Sequence, residues 1–176
     1  ITINNNVNML VSGLGNGTIV NIFAKVKLGA PVLRSKTVTE VEVTVDDNVT
    51  TGVYNLGKTD LFRVMEIRNG TSSGTDISSR FTIDNGQRAG YYDNARLILN
   101  SGMTNPTGNV YIKFKHLEHS SGDYFSVDSY TGQVDYEQIP DFKANERSSI
   151  NLRDVIDLRS DINAAGTAFA SADINE

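Results

Sequence analysis

The sequence predicts an all-β fold: an antiparallel β-sandwich or partly open barrel with long polar loops and room for one short C-terminal helix. Three observations carry that expectation. Apolar residues recur at every second position in short segments, those segments are rich in Val, Ile and Thr, and clusters of Gly, Asn, Asp and Pro separate them. Sustained helical spacing is scarce.

The elements follow in order. NNNVNMLVSGLGNGTIVNIF places Gly13, Gly15 and Gly17 between short apolar runs, which reads as a turn or bend between strands. A phosphate-cradling loop is the alternative, but the terminal Gly-Lys-Ser/Thr and a following helix are missing. Residues 19–28 carry Ile22, Ala24, Val26 and Leu28 at period two, and Ala30-Pro31 then interrupts any ladder. SKTVTEVEVTVDD alternates again, with Val41, Val43 and Val45 on one face and Glu40, Glu42 and Thr44 on the other.

TDLFRVMEIRNG reads as a strand ending at Asn69-Gly70, a strong hairpin signal, and TSSGTD as a solvated loop. Phe81 and Ile83 alternate before Asp84-Asn85-Gly86, where Asn-Gly suits a reversal, and ARLILN starts another strand. After the turn SGMTNPTGN, NVYIKFKHLEH alternates through Val110, Ile112, Phe114 and Leu117. GDYFSVDSYTGQVDYEQIPDF suggests a compact, irregular β excursion, with Pro140 pushing Ile139 out of helical space. NLRDVIDLRSDI sets Leu152, Val155, Ile156 and Leu158 along a helical face or on a short strand. The organisation expected is one mainly β domain over 1–162, with an elaboration within 1–75, and a tail or linker over 163–176.

The 176-residue chain is long enough for a core without staples, and it contains no cysteine, so disulfides, thiolate metal sites and a cysteine nucleophile are excluded. Sixteen Lys and Arg against twenty-one Asp and Glu give a net charge of -5 without a basic stripe, which argues against general nucleic-acid binding. No apolar run is long enough to cross a bilayer as a helix. ITINNNVNML lacks the basic and apolar regions of a secretion signal, and the opening Ile1 suggests a piece of something longer.

Chemistry-bearing constellations are weak. His116 and His119, the two histidines, fall on opposite sides of a strand, so joint metal ligation needs a bend. Asp123, Asp128 and Asp135 lack the cadence of a calcium loop. No Gly-x-Ser-x-Gly elbow is present, and pairing Glu118 with Glu137 as acid and base requires an assumed fold. Neither a catalytic set, a metal nor a cofactor is expected. Arg88, Arg96, Arg153 and Arg159 are a better lead, because the guanidinium fork suits bidentate pairing with Asp84, Asp93, Asp154 and Asp157, within the chain or across a subunit contact. Tyr91, Tyr92, Tyr124 and Tyr130 join them as structural or interface candidates.

The series DISSRFTIDNGQRAGYYDNARLIL, GNVYIKFKHLEHSSGDYFSVDSY, DYEQIPDF and NLRDVIDLRSDI resembles a pattern in large structural proteins of tailed bacteriophages, especially contractile-tail and baseplate proteins. The resemblance spans about residues 76–162, and Leu158 and Ser160 stand where similar sequences tend to carry Phe and Pro. It implies a noncatalytic building block of the virion, assembled in the host cytoplasm, whose partners are other tail or baseplate proteins, with self-association as an additional option. Nucleic acid and membrane insertion are not among the partners expected. The alternative is a carbohydrate or host-surface binding module of a tail appendage, in which Tyr91, Tyr92, Tyr124 and Tyr130 form an aromatic platform for a glycan.

Overall fold

The computed structural model describes residues 2–3, 9–10, 12–19, 21, 29–46, 51–145 and 147–161. The strand expected over 19–28 falls largely outside the described residues, and the tail expected over 163–176 falls wholly outside them. Residues 1–30 form one compact unit, in which β1 (Thr2–Ile3) pairs antiparallel with β2 (Met9–Leu10). The expected turn is present there, with Gly13 and Gly17 at φ near 80° and the Thr18 amide donating to the Gly15 carbonyl.

Residues 31–176 form the second unit, and its described residues are all-β. Its strands are β3 (Lys36–Val45), β4 (Val53–Thr59), β5 (Leu61–Asn69), β6 (Phe81–Asp84), β7 (Tyr91–Tyr92), β8 (Asn94–Leu99), β9 (Val110–His119), β10 (Asp141–Asn145), β11 (Ser148–Asn151) and β12 (Ser160–Asp161). Two three-stranded antiparallel sheets, β3-β9-β5 and β4-β8-β6, pack as a sandwich around one apolar core. Neither sheet closes into a barrel. Helical structure among the described residues is limited to single 3₁₀ turns, including one at Leu152–Asp154 where a short helix was open.

The register of β3 on β9 explains how the molecule is layered. Val41, Val43 and Val45 stand opposite Phe114, Ile112 and Val110, and these six side chains line the core between the sheets. At the other end of the same two strands the opposite face is covered. Val38 and its partner Leu117 pack there against Tyr130, Ile139, Phe142 and Leu152, which the irregular C-terminal segment supplies. Further along that second face Lys113 pairs with Glu40 and Glu42, and all three side chains are partly exposed. One strand pair thus buries different faces at its two ends, and Lys36 opposite His119 lies at the doubly enclosed end.

Two turns differ from expectation. After Asn69-Gly70 the chain folds back through the TSSGTD loop, so that the Ile77 amide donates to the Ile67 carbonyl, but the partner of β5 in the sheet is β9. The Asn85-Gly86 reversal is displaced. β6 pairs with β8 and the ladder continues to the Gln87–Tyr92 bridge, so the chain turns at Arg88–Tyr91, where the Arg88 amide donates to the Tyr91 carbonyl. Between the Asp84–Arg96 and Gln87–Tyr92 pairs, Asn85 and Gly86 face three residues, Asp93 to Ala95, so the extra residue of the bulge lies on the returning strand opposite Asn85-Gly86. Gly86 sits at φ 84°, and a Cβ there would fall 2.1 Å from the Asp93 carbonyl oxygen. Gly86→Ala is therefore expected to lower stability by about 2 kcal/mol or more, read as a drop in urea midpoint at unchanged slope.

Candidate functional site

The densest polar constellation lies in the enclosed end of the central sheet. The chain passes from β4 in one sheet to β5 in the other through a single residue, Asp60, which adopts φ 50° and is fully buried. Asp tolerates this left-handed conformation better than most side chains. Its carboxylate accepts from Lys36 Nζ at 2.6 Å, lies 2.8 Å from His119 Nε2 and accepts from Gln87 Nε2 at 3.1 Å. Its carbonyl accepts from the Leu117 amide. One residue therefore holds β3, β9 and the β6–β7 connection together at the corner of the sandwich.

Lys36 has no exposed side-chain surface. Besides Asp60 it donates to the Tyr92 hydroxyl at 2.9 Å, and its ammonium stands 4.5 Å from the ring centres of Tyr92 and Phe125 and 5.0 Å from that of Tyr130. Tyr92 donates onward to Asp157 Oδ2 at 2.6 Å and accepts from Arg159 at 2.9 Å. Arg159 grips both oxygens of Asp157, at 2.9 and 2.8 Å, donates to the Arg88 carbonyl, and stacks over Tyr92 and Phe142. On the far side His119 Nδ1 lies 2.6 Å from Asp161 Oδ1, and Arg34 donates to Asp161 Oδ2 at 2.6 Å. Arg34, Lys36 and Arg159 thus face Asp60, Asp157 and Asp161 in a continuous network.

The electrostatics follow from this saturation. Burial alone would raise the Asp60 carboxyl, but the Lys36 charge and the His119 contact hold it well below the usual carboxylate range. Asp157 and Asp161 are likewise lowered against the effect of burial, the first by Arg159 and Tyr92, the second by His119 and Arg34. Burial pushes the Tyr92 phenol well up, with Asp60 and Asp157 adding to the effect. These groups are committed to one another. The arrangement fixes the geometry of the strands and loops that supply these groups.

The candidates marked from sequence do not form one site. Tyr92, Asp157 and Arg159 belong to the buried network, and Tyr130 lines it. Asp84, Arg88, Asp93 and Arg96 form a half-buried chain at the hairpin: Arg88 holds both Asp84 oxygens at 2.8 and 2.7 Å, and Arg88 and Arg96 share Asp93 at 3.2 and 2.6 Å. Partly exposed pairs of this kind contribute about 0–1 kcal/mol each, and here they brace the bulged hairpin. Tyr91, half-buried, pairs through its backbone with Ser160, and Tyr124 bridges to Leu33. Arg153 lies elsewhere, bound to Glu137 at 2.9 Å and stacked on Tyr136, while Asp154 is exposed.

Arg34, Lys36, Asp60 and Asp161 carry the network yet are not marked from sequence, and Gln87 enters there only as part of the first phrase of the resemblance. The local signal at Asp60 is weak, because Gly57-Lys58-Thr59-Asp60 reads as an ordinary polar connection between two strand-like runs. The histidines do lie on opposite faces as the strand spacing requires, and His119 is hydrogen-bonded, but His116 is 4% exposed with neither ring nitrogen hydrogen-bonded. Among the described residues no three His, Cys, Asp or Glu side chains cluster as metal ligands. Comparison with family models, curated proteins and solved structures finds no match for the chain.

Burial, helped by the Lys58 charge, lowers the His116 pKa below its ordinary 6.5. The folded state then binds fewer protons than the unfolded one, so this contribution is full above about pH 6.5 and is lost as pH falls. The three lowered carboxylates act in the same direction in a second window beginning near 3.8. Urea midpoints measured down the pH scale are expected to fall in two steps, and His116→Leu is expected to remove the first step alone.

Proposed function

We propose that the chain is a noncatalytic structural component of a phage tail or baseplate that works by protein-protein assembly. The observation that supports this most is the segment 155–161, which is built inside out. Asp157 and Arg159 point into the molecule and are buried, while Ile156 and Leu158, which alternate with them, are 68% and 51% exposed. Alternation normally places apolar residues inward. Here the polar face is consumed by the network and the apolar face is turned to the outside, beside a shallow hollow lined by Ala89, Gly90, Phe142, Ile150, Leu152 and Val155. Single exposed apolar residues are ordinary on proteins, but a contiguous set with a buried polar counter-face is what a surface awaiting a neighbour requires.

The setting comes from the ordered phrases that resemble contractile-tail and baseplate proteins. The alternative, a glycan platform, loses support because Tyr92 and Tyr130 are withdrawn from the surface, at 0% and 2% exposure. An enzymatic role finds no support in a network whose titratable groups are mutually paired.

The test is light scattering of the chain across a concentration series, alone and with candidate tail neighbours. A defined complex is expected, and a double variant Ile156→Asp with Leu158→Asp is expected to weaken it at least about tenfold while leaving the melting temperature within a few degrees, since both side chains are exposed. Persistent monomers with every neighbour, together with saturable glycan binding, would favour the alternative.

A further inference from the structure

Lys36 and Asp60 bring together the two halves of an amide. Nζ lies 2.6 Å from Oδ2, and the two side chains are 0% and 1% exposed. At any ordinary hydrogen-bond angle that contact leaves Nζ roughly 3–3.5 Å from Cγ, the separation of a near-attack pair. Most lysine-carboxylate pairs sit at the surface, where both side chains move and water competes for each group. Here the lysine is fixed by the Tyr92, Phe125 and Tyr130 rings around its ammonium, and the aspartate by its place as the single residue between β4 and β5.

The groups around the pair suit acyl transfer. Gln87 Nε2 donates to Oδ1 at 3.1 Å, where negative charge gathers when a nucleophile adds to Cγ. His119 Nε2 stands 2.8 Å from Oδ2, the oxygen that departs. On the amine side the Tyr92 hydroxyl accepts from Nζ at 2.9 Å and donates to Asp157 at 2.6 Å, a short path for a proton away from the nitrogen. Burial lowers the Lys36 ammonium from its ordinary 10.5, with Asp60 opposing, and a neutral amine is the form that attacks. A cleft lined in part by Arg34, His119 and Asp161 gives the released water a way out.

We propose that Lys36 and Asp60 condense into an isopeptide bond in the folded chain. The resting pair is ionic, and one proton crosses the 2.6 Å contact from Nζ to Oδ2, leaving an amine and a carboxyl with no change of net charge. Nζ then bonds to Cγ, the Cγ–Oδ2 bond breaks, and the hydroxyl leaves as water with a second proton from the nitrogen, held meanwhile on the path from Tyr92 to Asp157. An ammonium and a carboxylate become one secondary amide and one water, so nothing is oxidised or reduced and no co-reactant is needed. Holding the two groups together is worth an effective concentration on the order of 10⁵ M or more. Exclusion of water from the pair protects the product from hydrolysis. The reaction happens once per chain, without turnover, and is independent of any partner. Its product ties the start of β3 covalently to the corner between the two sheets.

The test is mass spectrometry of the unmodified chain. Its intact mass is expected to be one water, about 18 Da, below that of the sequence. Trypsin is expected to release residues 35–58 joined to residues 59–63, with the bond after Lys36 uncut because that side chain no longer carries a charge. Lys36→Arg, which keeps the positive charge beside Asp60 but removes the attacking amine, is expected at full mass. An unmodified chain that stays at full mass through prolonged incubation at neutral pH, cut after Lys36 and releasing residues 59–63 free, would overturn the bond and leave a plain ion pair. A water loss that persists in Lys36→Arg would overturn it as well. The digest of the unmodified chain decides the matter if the variant does not fold.

Discussion

The structure of residues 31–176 turns on one carboxylate buried at a corner. Asp60 is the single residue between a strand of one sheet and a strand of the other, and it occupies a left-handed backbone conformation with no exposed surface. An ionised carboxylate in such a place is strongly unfavourable unless partners replace its water. Lys36, His119 and Gln87 do so, and each comes from a different part of the chain. The corner can be turned so tightly only if β3, β9 and the β6–β7 connection arrive in the right register, because a slip of one residue would carry Lys36 and His119 to the wrong face.

From that corner the constraint spreads outward. Lys36 needs Tyr92, Tyr92 needs Asp157, and Asp157 with Arg159 fixes the direction of the segment that contains them. Drawing those two polar side chains inward forces Ile156 and Leu158 outward. The apolar surface proposed as an assembly site is therefore a by-product of satisfying buried charge, and the two properties cannot be altered separately without cost. A core of ordinary apolar packing at this end would have held the sheet as well, but it would have left Ile156 and Leu158 with an interior to enter.

Period-two alternation made most of the fold legible. β3 and β9 fall where Val, Ile and Phe alternate, while β5 is placed by its Asn69-Gly70 end and β8 by the apolar run ARLILN. The faces were legible only in part. Val41, Val43 and Val45 read correctly, but Lys36 looks like a solvent-facing lysine at the start of a strand, because its burial is decided by Asp60, Tyr92, Phe125 and Tyr130, which are remote in sequence. Tyr92, Tyr130, Asp157 and Arg159 stood out by residue type, yet their depth did not. For Leu152, Val155, Ile156 and Leu158 a shared helical face or a short strand was open, and the structure separates them: Leu152 is buried while Ile156 and Leu158 are exposed, since the hydrogen-bonding demand of Asp157 and Arg159 overrides apolar periodicity. Asn-Gly at 85–86 was read as a reversal because it usually is one, and the turn moved to Arg88–Tyr91 where the ladder could continue past the bulge.

The most direct measurement of the central claim is a double-mutant cycle on Lys36 and Asp60, with Lys36→Met, Asp60→Asn and the pair followed by urea unfolding. If the buried pair organises the corner, each single change leaves a partner stranded and lowers stability by about 3–5 kcal/mol, and the double variant loses less than the sum by about 2 kcal/mol or more. Strictly additive losses, or single variants within about 1 kcal/mol of the parent, would contradict it and shift the weight of the fold to the apolar core between the sheets.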